Sequence, residues 1–79
     1  MLAFTGLEAR VAAALVRLAN ADNQIYMTHE ALAEEIGSAR EAVGRQLGAF
    51  VRQGLVMLAR GRIELLDRSN LSQRARSEQ

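Results

Sequence analysis

The chain has 79 residues, of which 49% are hydrophobic, so it is long enough for one small domain with an aliphatic core. It contains no cysteine, which excludes disulfides and thiolate metal sites, and its apolar runs fall far short of the roughly 20 residues that a membrane span needs. Residues 1–20 also lack a signal-peptide pattern, so we expect a soluble cytoplasmic protein, and its net charge is only +1.

The charged residues are unevenly distributed along the chain. Residues 1–36 carry a net charge of −3, residues 37–62 carry +4, and the remaining residues sum to zero. The +4 segment holds five arginines and one carboxylate: Arg40, Arg45, Arg52, Arg60, Arg62 and Glu41. A basic segment beside an acidic one is typical of a small nucleic-acid-binding domain, and a solvated charged face gives the same pattern.

The first predicted element is a helix over residues 7–20. Its apolar residues recur at three- and four-residue steps and form one stripe: Leu7, Val11, Ala14, Leu15 and Leu18. Thr5 is the predicted N-cap of this helix, and Glu8 is its predicted capping-box partner three residues later.

A turn and a short second helix follow. The polar residues at 20–23 indicate a turn, and residues 24–27 fit a brief strand or an extended link. Thr28 is the predicted N-cap of a helix over residues 29–36. Gly37 follows at the position where a left-handed helix terminus favours glycine, so the helix is expected to end there.

A third helix is predicted from Ser38 to about Gln53. Residues 38–41 spell S-x-x-E, which predicts a capping box between Ser38 and Glu41. The apolar residues of this helix share one face: Ala39, Val43, Leu47, Phe50 and Val51. Gly54 is expected to end the helix.

Two short strands and a polar tail complete the chain. Residues 56–59 and 62–66 are apolar enough for two strands, joined by a turn at residues 60–61. Residues 67–79 are polar, and they predict a short helix around Leu71 followed by a frayed tail.

The order helix, helix, tight turn, helix, hairpin is that of a winged helix-turn-helix. We therefore predict a mainly α fold with a small β-hairpin, in which three helices form the core and the hairpin is the wing. Residues 1–79 are expected to form a single domain, with the helix-turn-helix at about 28–53 and the wing at about 55–66.

The exposed face of the third helix is the candidate for reading DNA bases. The side opposite its apolar face is mostly basic and carries Glu41, Arg45, Gly48 and Arg52. The N-terminal part of a recognition helix meets the base edges, so Arg40, Glu41 and Arg45 are the predicted base-reading residues. Arg45 can donate to guanine and Glu41 can accept from cytosine, while Arg40 lies at the margin of the apolar face. The alternative is that these are ordinary solvent-exposed residues, with Glu41 only capping the helix.

Other residues are candidates for contacts with the phosphate backbone. Thr28 and His29 begin the second helix, where backbone N–H groups and the positive end of the dipole can hold a phosphate. Arg60 and Arg62 flank the hairpin turn and can reach phosphates or a minor groove. Capping by Thr28 alone and an ordinary charged turn are the competing interpretations.

Two glycines inside the third helix need an explanation. Gly44 and Gly48 should each cost roughly 1 kcal/mol relative to alanine in a helix. Close approach of another helix or of DNA would explain them, and so would simple tolerance of the cost.

We find no catalytic constellation in the sequence. There is no Ser/His/Asp set, no glycine-rich phosphate loop and no metal-ligand spacing, and His29 is the only histidine. We therefore expect neither an enzyme nor a bound metal or cofactor.

Residues 28–37 read THEALAEEIG, and residues 40–45 read REAVGR. These strings resemble the first helix and the recognition helix of the helix-turn-helix in the Crp/Fnr family of bacterial transcription regulators. Residues 54–56 and 60–63 resemble the link into the wing and the wing itself. The resemblance covers roughly residues 5–72.

This resemblance implies sequence-specific binding of double-stranded DNA, with Arg40, Glu41 and Arg45 on the bases. Phosphate contacts are implied for the start of the second helix, for Ser38 and for the wing. The family usually has hydroxyl residues where Ala39 and Ala42 stand, so two typical phosphate contacts are missing.

The resemblance also implies partners for a larger regulator. Family members place this domain after an effector-sensing domain and a long dimerisation helix, so we expect a homodimeric parent protein and a contact with RNA polymerase. The alternatives are a winged helix used for protein–protein contact, a small domain of an enzyme, and a winged-helix regulator of another family.

Overall fold

The computed structural model describes residues 6–76, and the element order is that of a winged helix-turn-helix. In chain order the elements are α1 (Leu7–Leu18), β1 (Gln24–Ile25), α2 (His29–Ile36), α3 (Arg40–Arg52), β2 (Val56–Ala59), β3 (Arg62–Leu65) and α4 (Arg68–Ala75). The predicted fold class is confirmed, and so are the short helix expected around Leu71 and, of the two options for residues 24–27, the brief strand.

Helix α1 begins at Leu7 as predicted, but its N-cap and its end differ from the prediction. Thr5, the predicted N-cap, lies outside the described residues, and Gly6 occupies the N-cap position without a side-chain hydrogen bond. Glu8 instead accepts a hydrogen bond from Arg74 at 2.8 Å. The helix stops at Leu18 because the Asn20 side chain accepts from two backbone N–H groups of the following turn, at 2.8 and 3.0 Å.

Helix α2 has the predicted ends. The Thr28 hydroxyl oxygen accepts from the backbone N–H of Ala31 at 3.0 Å, so the predicted N-cap is confirmed. Gly37 has φ +80°, and the N–H groups of Gly37 and Ser38 both donate to the Ala33 carbonyl, at 2.8 and 3.0 Å. These bonds end α2 and turn the chain sharply towards α3.

The predicted capping box at the start of α3 is wrong. The N-cap of α3 is Ala39, with no side-chain hydrogen bond, and the helix begins at Arg40. Because the backbone N–H of Ser38 is already used to end α2, the chain becomes helical later than the S-x-x-E pattern predicts. Glu41 therefore falls at the second helical position, and its carboxylate has no capping role.

The wing is part of a three-stranded antiparallel sheet with the order β1-β3-β2. The predicted hairpin pairs Val56 with Leu65 and Ala59 with Arg62, and Gly61 has φ +67° at its turn. Strand β1 adds to the other edge of β3. The brief strand predicted before α2 is confirmed, and its place beside the hairpin is new.

Helix α4, predicted around Leu71, packs into the core beside the three predicted core helices. It packs mainly against α1, and its residue Leu71 is fully buried. Asp67 caps its start by accepting from the Asn70 N–H at 3.1 Å. Arg68 donates to the Val16 carbonyl at 3.0 Å and so ties this helix to α1.

The buried core joins all four helices to the inner face of the sheet. Its largest fully buried side chains are Phe50, Leu15, Leu32, Leu47, Ile63, Leu71, Val11, Val43 and Val56. Val51, predicted on the buried face of α3, is 41% exposed. Between residues 6 and 76, no helix is long and apolar enough to cross a membrane.

Candidate nucleic-acid interface

The outer face of α3 forms a shallow concave surface, which we call the helix surface. It is lined by Glu41, Gly44, Arg45, Gly48 and Arg52. Two of these five residues are glycines, so the middle of the helix presents bare backbone between charged side chains. The apolar face of the same helix buries Val43, Leu47 and Phe50, and this packing fixes the direction in which the charged face points.

A second concave surface lies between the start of α2, the start of α3 and the tip of the wing. This wing surface is lined by Thr28, His29, Glu30, Arg40, Leu58, Ala59, Arg60 and Gly61. It brings the N-terminal N–H groups of α2 to the same place as two guanidinium groups. Arg40 and Glu41 are neighbours in the chain, so the wing surface and the helix surface adjoin at the start of α3.

The arginines divide by whether they have a partner in the chain. Five of them bind oxygens of other residues: Arg10, Arg17, Arg62, Arg68 and Arg74. The other five are exposed and have no hydrogen-bond or ion-pair partner among residues 6–76: Arg40, Arg45, Arg52, Arg60 and Arg76. All but Arg76 line the two surfaces, so the uncompensated positive charge is concentrated there.

One of the paired arginines helps to orient the helix-turn-helix. The Arg10 guanidinium, on α1, donates to the Ile36 carbonyl at 2.8 Å, at the last residue of α2. This bond supplies a donor to a helix end whose carbonyl groups lack intrahelical partners. It also holds the turn before α3 against α1.

The sequence profile of the Crp-like helix-turn-helix domain matches residues 9–74. The chain belongs to this family. The curated transcriptional regulator SdrP of Thermus thermophilus is 34% identical to it, in an alignment that covers 96% of this chain and 42% of SdrP.

Solved structures agree with this assignment. A Crp/Fnr-family transcriptional regulator from Thermus thermophilus superposes with a TM-score of 0.87 at 32% identity, covering 95% of this chain and 43% of that one. The Thermus thermophilus catabolite activator protein superposes with a TM-score of 0.82 at 31% identity, covering 91% of this chain and 35% of that one. The Crp-like chain thus spans less than half the length of these relatives.

The structure groups most of the predicted site residues of this Crp-like domain. Glu41 and Arg45 share the helix surface, whereas Arg40 lies in the wing surface. Three of the predicted phosphate-binding residues join Arg40 there: Thr28, His29 and Arg60.

Two predicted phosphate-binding residues lie in neither surface. Ser38 is half-buried in the turn between α2 and α3. Arg62 lies within 3.6 Å of Glu64 and donates to Gln24 at 3.4 Å, on the outer face of the sheet. Its guanidinium is therefore engaged within the domain.

Arg52 lines the helix surface, on the charged face of α3 where the sequence placed it, although it was not among the predicted DNA-binding residues. The signal that links it to the base-reading residues is its spacing. It lies seven residues after Arg45, which is close to two helical turns and so returns to the same face.

The structure removes one explanation for the glycines of α3. A Cβ atom at Gly44 would meet nothing within 4 Å, and at Gly48 it would meet only the Arg52 Nη1, at 3.7 Å. No neighbouring helix approaches them. The described residues also contain no group of acidic or histidine side chains that could hold a metal ion.

Proposed function

We propose that this chain binds double-stranded DNA sequence-specifically in bacterial transcription regulation, with α3 in the major groove. The observation that carries the proposal is the helix surface. It presents Arg45 and Glu41, both without partners among the described residues, beside bare glycine backbone. A base pair is a partner that offers both the acceptors that Arg45 needs and the donor that Glu41 needs.

Arg45 and Glu41 are the proposed base-reading residues. Arg45 donates two hydrogen bonds to O6 and N7 of guanine, and Glu41 accepts one from the amino group of cytosine. The loss of the capping box strengthens the case for Glu41, because its carboxylate is not occupied at the helix start.

Arg40 is better suited to a phosphate than to a base. It lies in the wing surface with Thr28, His29 and Arg60, where a phosphate would also receive N–H groups from the start of α2. Thr28 already accepts from Ala31, and its hydroxyl proton remains available for donation. Glu30 lies in the same surface, so its carboxylate offsets part of the charge of the two arginines.

Of the two arginines at the tip of the wing, we propose that Arg60, and not Arg62, contacts a DNA phosphate. The Arg62 guanidinium would have to leave Glu64 and Gln24 to reach DNA. Ser38 is close in sequence to the base-reading residues and stays a candidate for a single phosphate contact.

The test is a selection of bound duplexes from a pool of randomised sequence, followed by sequencing. We expect the wild-type chain to enrich a motif and Arg45→Ala to lose the preference for guanine at one position. Arg17→Ala removes the same charge from an arginine that pairs with Glu35 at 3.4 Å, and it should keep the motif.

Two results would contradict the proposal. If the wild-type chain enriches no sequence and its NMR spectrum is unchanged by duplex DNA, the domain does not bind DNA. If Arg45→Ala enriches the same motif as the wild type, the base-reading role of Arg45 is wrong.

The setting of the domain is part of the same proposal. Because the matched relatives are longer regulators, we propose a cytoplasmic homodimer with an effector-sensing domain and a contact with RNA polymerase. Two copies would then meet half-sites about 34 Å apart along the duplex.

A further inference from the structure

We propose that Arg52 is a further DNA-contacting residue, which binds a backbone phosphate at the rim of the major groove. The proposal rests on the DNA-binding function above and extends the contact surface to the C-terminal end of α3. It assigns a role to a residue outside the base-reading part of the helix.

The first observation is the direction of the Arg52 side chain. Its Nη1 atom lies 3.7 Å from the position that a Cβ would take at Gly48, one turn earlier on the same helix. The guanidinium therefore lies along α3 towards Arg45. It lies over the helix surface and does not extend beyond the end of the helix.

The second observation is the lack of a partner within the domain. Arg17, Arg62 and Arg74 each lie within 3.6 Å of a carboxylate, whereas Arg52 has no ion-pair or hydrogen-bond partner among residues 6–76. Arg45 and Arg52 also place two like charges on one stripe. Because Arg45 is assigned to a base, an anion outside the chain is the group that would compensate the charge of Arg52.

The distance along the helix identifies that anion as a phosphate. The Cα of Arg52 lies about 10 Å beyond that of Arg45 along the axis, at about 1.5 Å per residue, and its guanidinium lies back over Gly48. The major groove is about 12 Å wide, and only the N-terminal part of a recognition helix reaches the base edges. When Glu41 and Arg45 are at the bases, Arg52 is therefore at the edge of the groove, where the phosphates lie.

The bare backbone at Gly48 makes this contact feasible. Gly48 has no side chain of its own, so the Arg52 guanidinium can lie along α3 at this position and donate two parallel hydrogen bonds to one phosphate. A phosphate contact does not depend on the base sequence. Arg52 should therefore raise the affinity for DNA and help to orient the domain on the duplex without changing the preferred sequence.

The experiment compares Arg52→Ala with Arg76→Ala in the full chain. Arg76 is also exposed and without a partner in the described part of the chain, but it ends α4 and lines neither surface. The probes are a mixed-sequence duplex and the duplex selected by the wild type, and Kd is measured over a range of salt concentrations. Circular dichroism checks that both variants are folded.

K is the association constant for DNA, and its logarithm falls as the logarithm of the salt concentration rises. We expect Arg52→Ala to make this slope less negative by about 0.9, which is the value for one phosphate contact. At about 0.1 M salt this corresponds to about an eightfold higher Kd on both duplexes. Arg76→Ala should change Kd less than about twofold on the same duplexes, and Arg52→Lys should recover most of the slope because it restores the charge.

Two outcomes would overturn the inference. If Arg52→Ala changes Kd no more than Arg76→Ala does, while Arg45→Ala still loses its base preference, Arg52 makes no contact and the proposed function stands. If Arg52→Ala alters the preferred base at one position, the phosphate assignment is wrong. Failure of the wild-type chain to bind either duplex would instead contradict the proposed function itself.

Discussion

Gly44 stands where an alanine would fit without any contact. It lies in the interior of α3, and a Cβ there would meet nothing within 4 Å. Glycine in a helix interior costs about 1 kcal/mol relative to alanine, because the unfolded backbone loses more conformational freedom. No contact within the described residues compensates this cost, which leaves the close approach of DNA and simple tolerance of the cost as its explanations.

We expect Gly44→Ala to raise the free energy of unfolding by about 1 kcal/mol and to weaken DNA binding. Urea denaturation followed by circular dichroism measures the first effect, and titration with the selected duplex measures the second. Gly37→Ala is the control, because Gly37 has φ +80° and its substitution should destabilise the domain. Unchanged DNA affinity in Gly44→Ala would show that this glycine has no role in binding.

The sequence could predict the position of a site residue only where helix geometry alone determines that position. Arg45 follows from its angle on α3. The engagement of Arg62 depends on the register that sets it beside Gln24 and Glu64, and a single strand does not reveal that register. The placement of Arg40 with Arg60 depends on how the wing folds back against α3.

At the scale of elements, the burial of Leu71 attaches α4 to the rest of the domain, because the helix has no amphipathic pattern of its own. Leu71 is its one fully buried residue and packs into the core shared with α1. We expect Leu71→Ala to lower the free energy of unfolding by about 2–5 kcal/mol, because it opens a cavity in a core that relaxes only partly. Leu66→Ala is the control, since Leu66 is 53% exposed and should lose less than about 0.5 kcal/mol. Urea denaturation of both variants measures the difference.

Equal and small losses in the two leucine variants would mean that α4 is only loosely attached to the domain.

The sequence predicted α1, α2 and α3 well because each has an apolar stripe with a helical period. It indicated α4 only as a short helix around Leu71 and β1 only as a brief strand or an extended link, because both are short and their stability comes from α1 and β3 respectively. The capping box failed because two helix ends compete for the backbone of Ser38.

For the whole molecule, the net charge of +1 conceals two different uses of arginine. Some arginines bind carbonyl or carboxylate oxygens and hold elements together, as Arg10 does for α1 and α2 and Arg68 for α4. Those on the helix and wing surfaces have no such partner in the described part of the chain. Binding strength should therefore depend on a few local charges rather than on the overall charge.

This difference among the arginines predicts the salt dependence of the intact chain. If Arg40, Arg52 and Arg60 each contact one phosphate, the slope of log K against log salt should be about −3, since each contact contributes about −0.9. Titrations of a mixed-sequence duplex between about 50 and 200 mM salt measure this slope. Arg17→Ala should leave it unchanged, because Arg17 is paired with Glu35 away from both surfaces.

A slope near zero would place the DNA elsewhere on the molecule. A slope much steeper than about −3 would mean that the paired arginines leave their partners and bind phosphates as well.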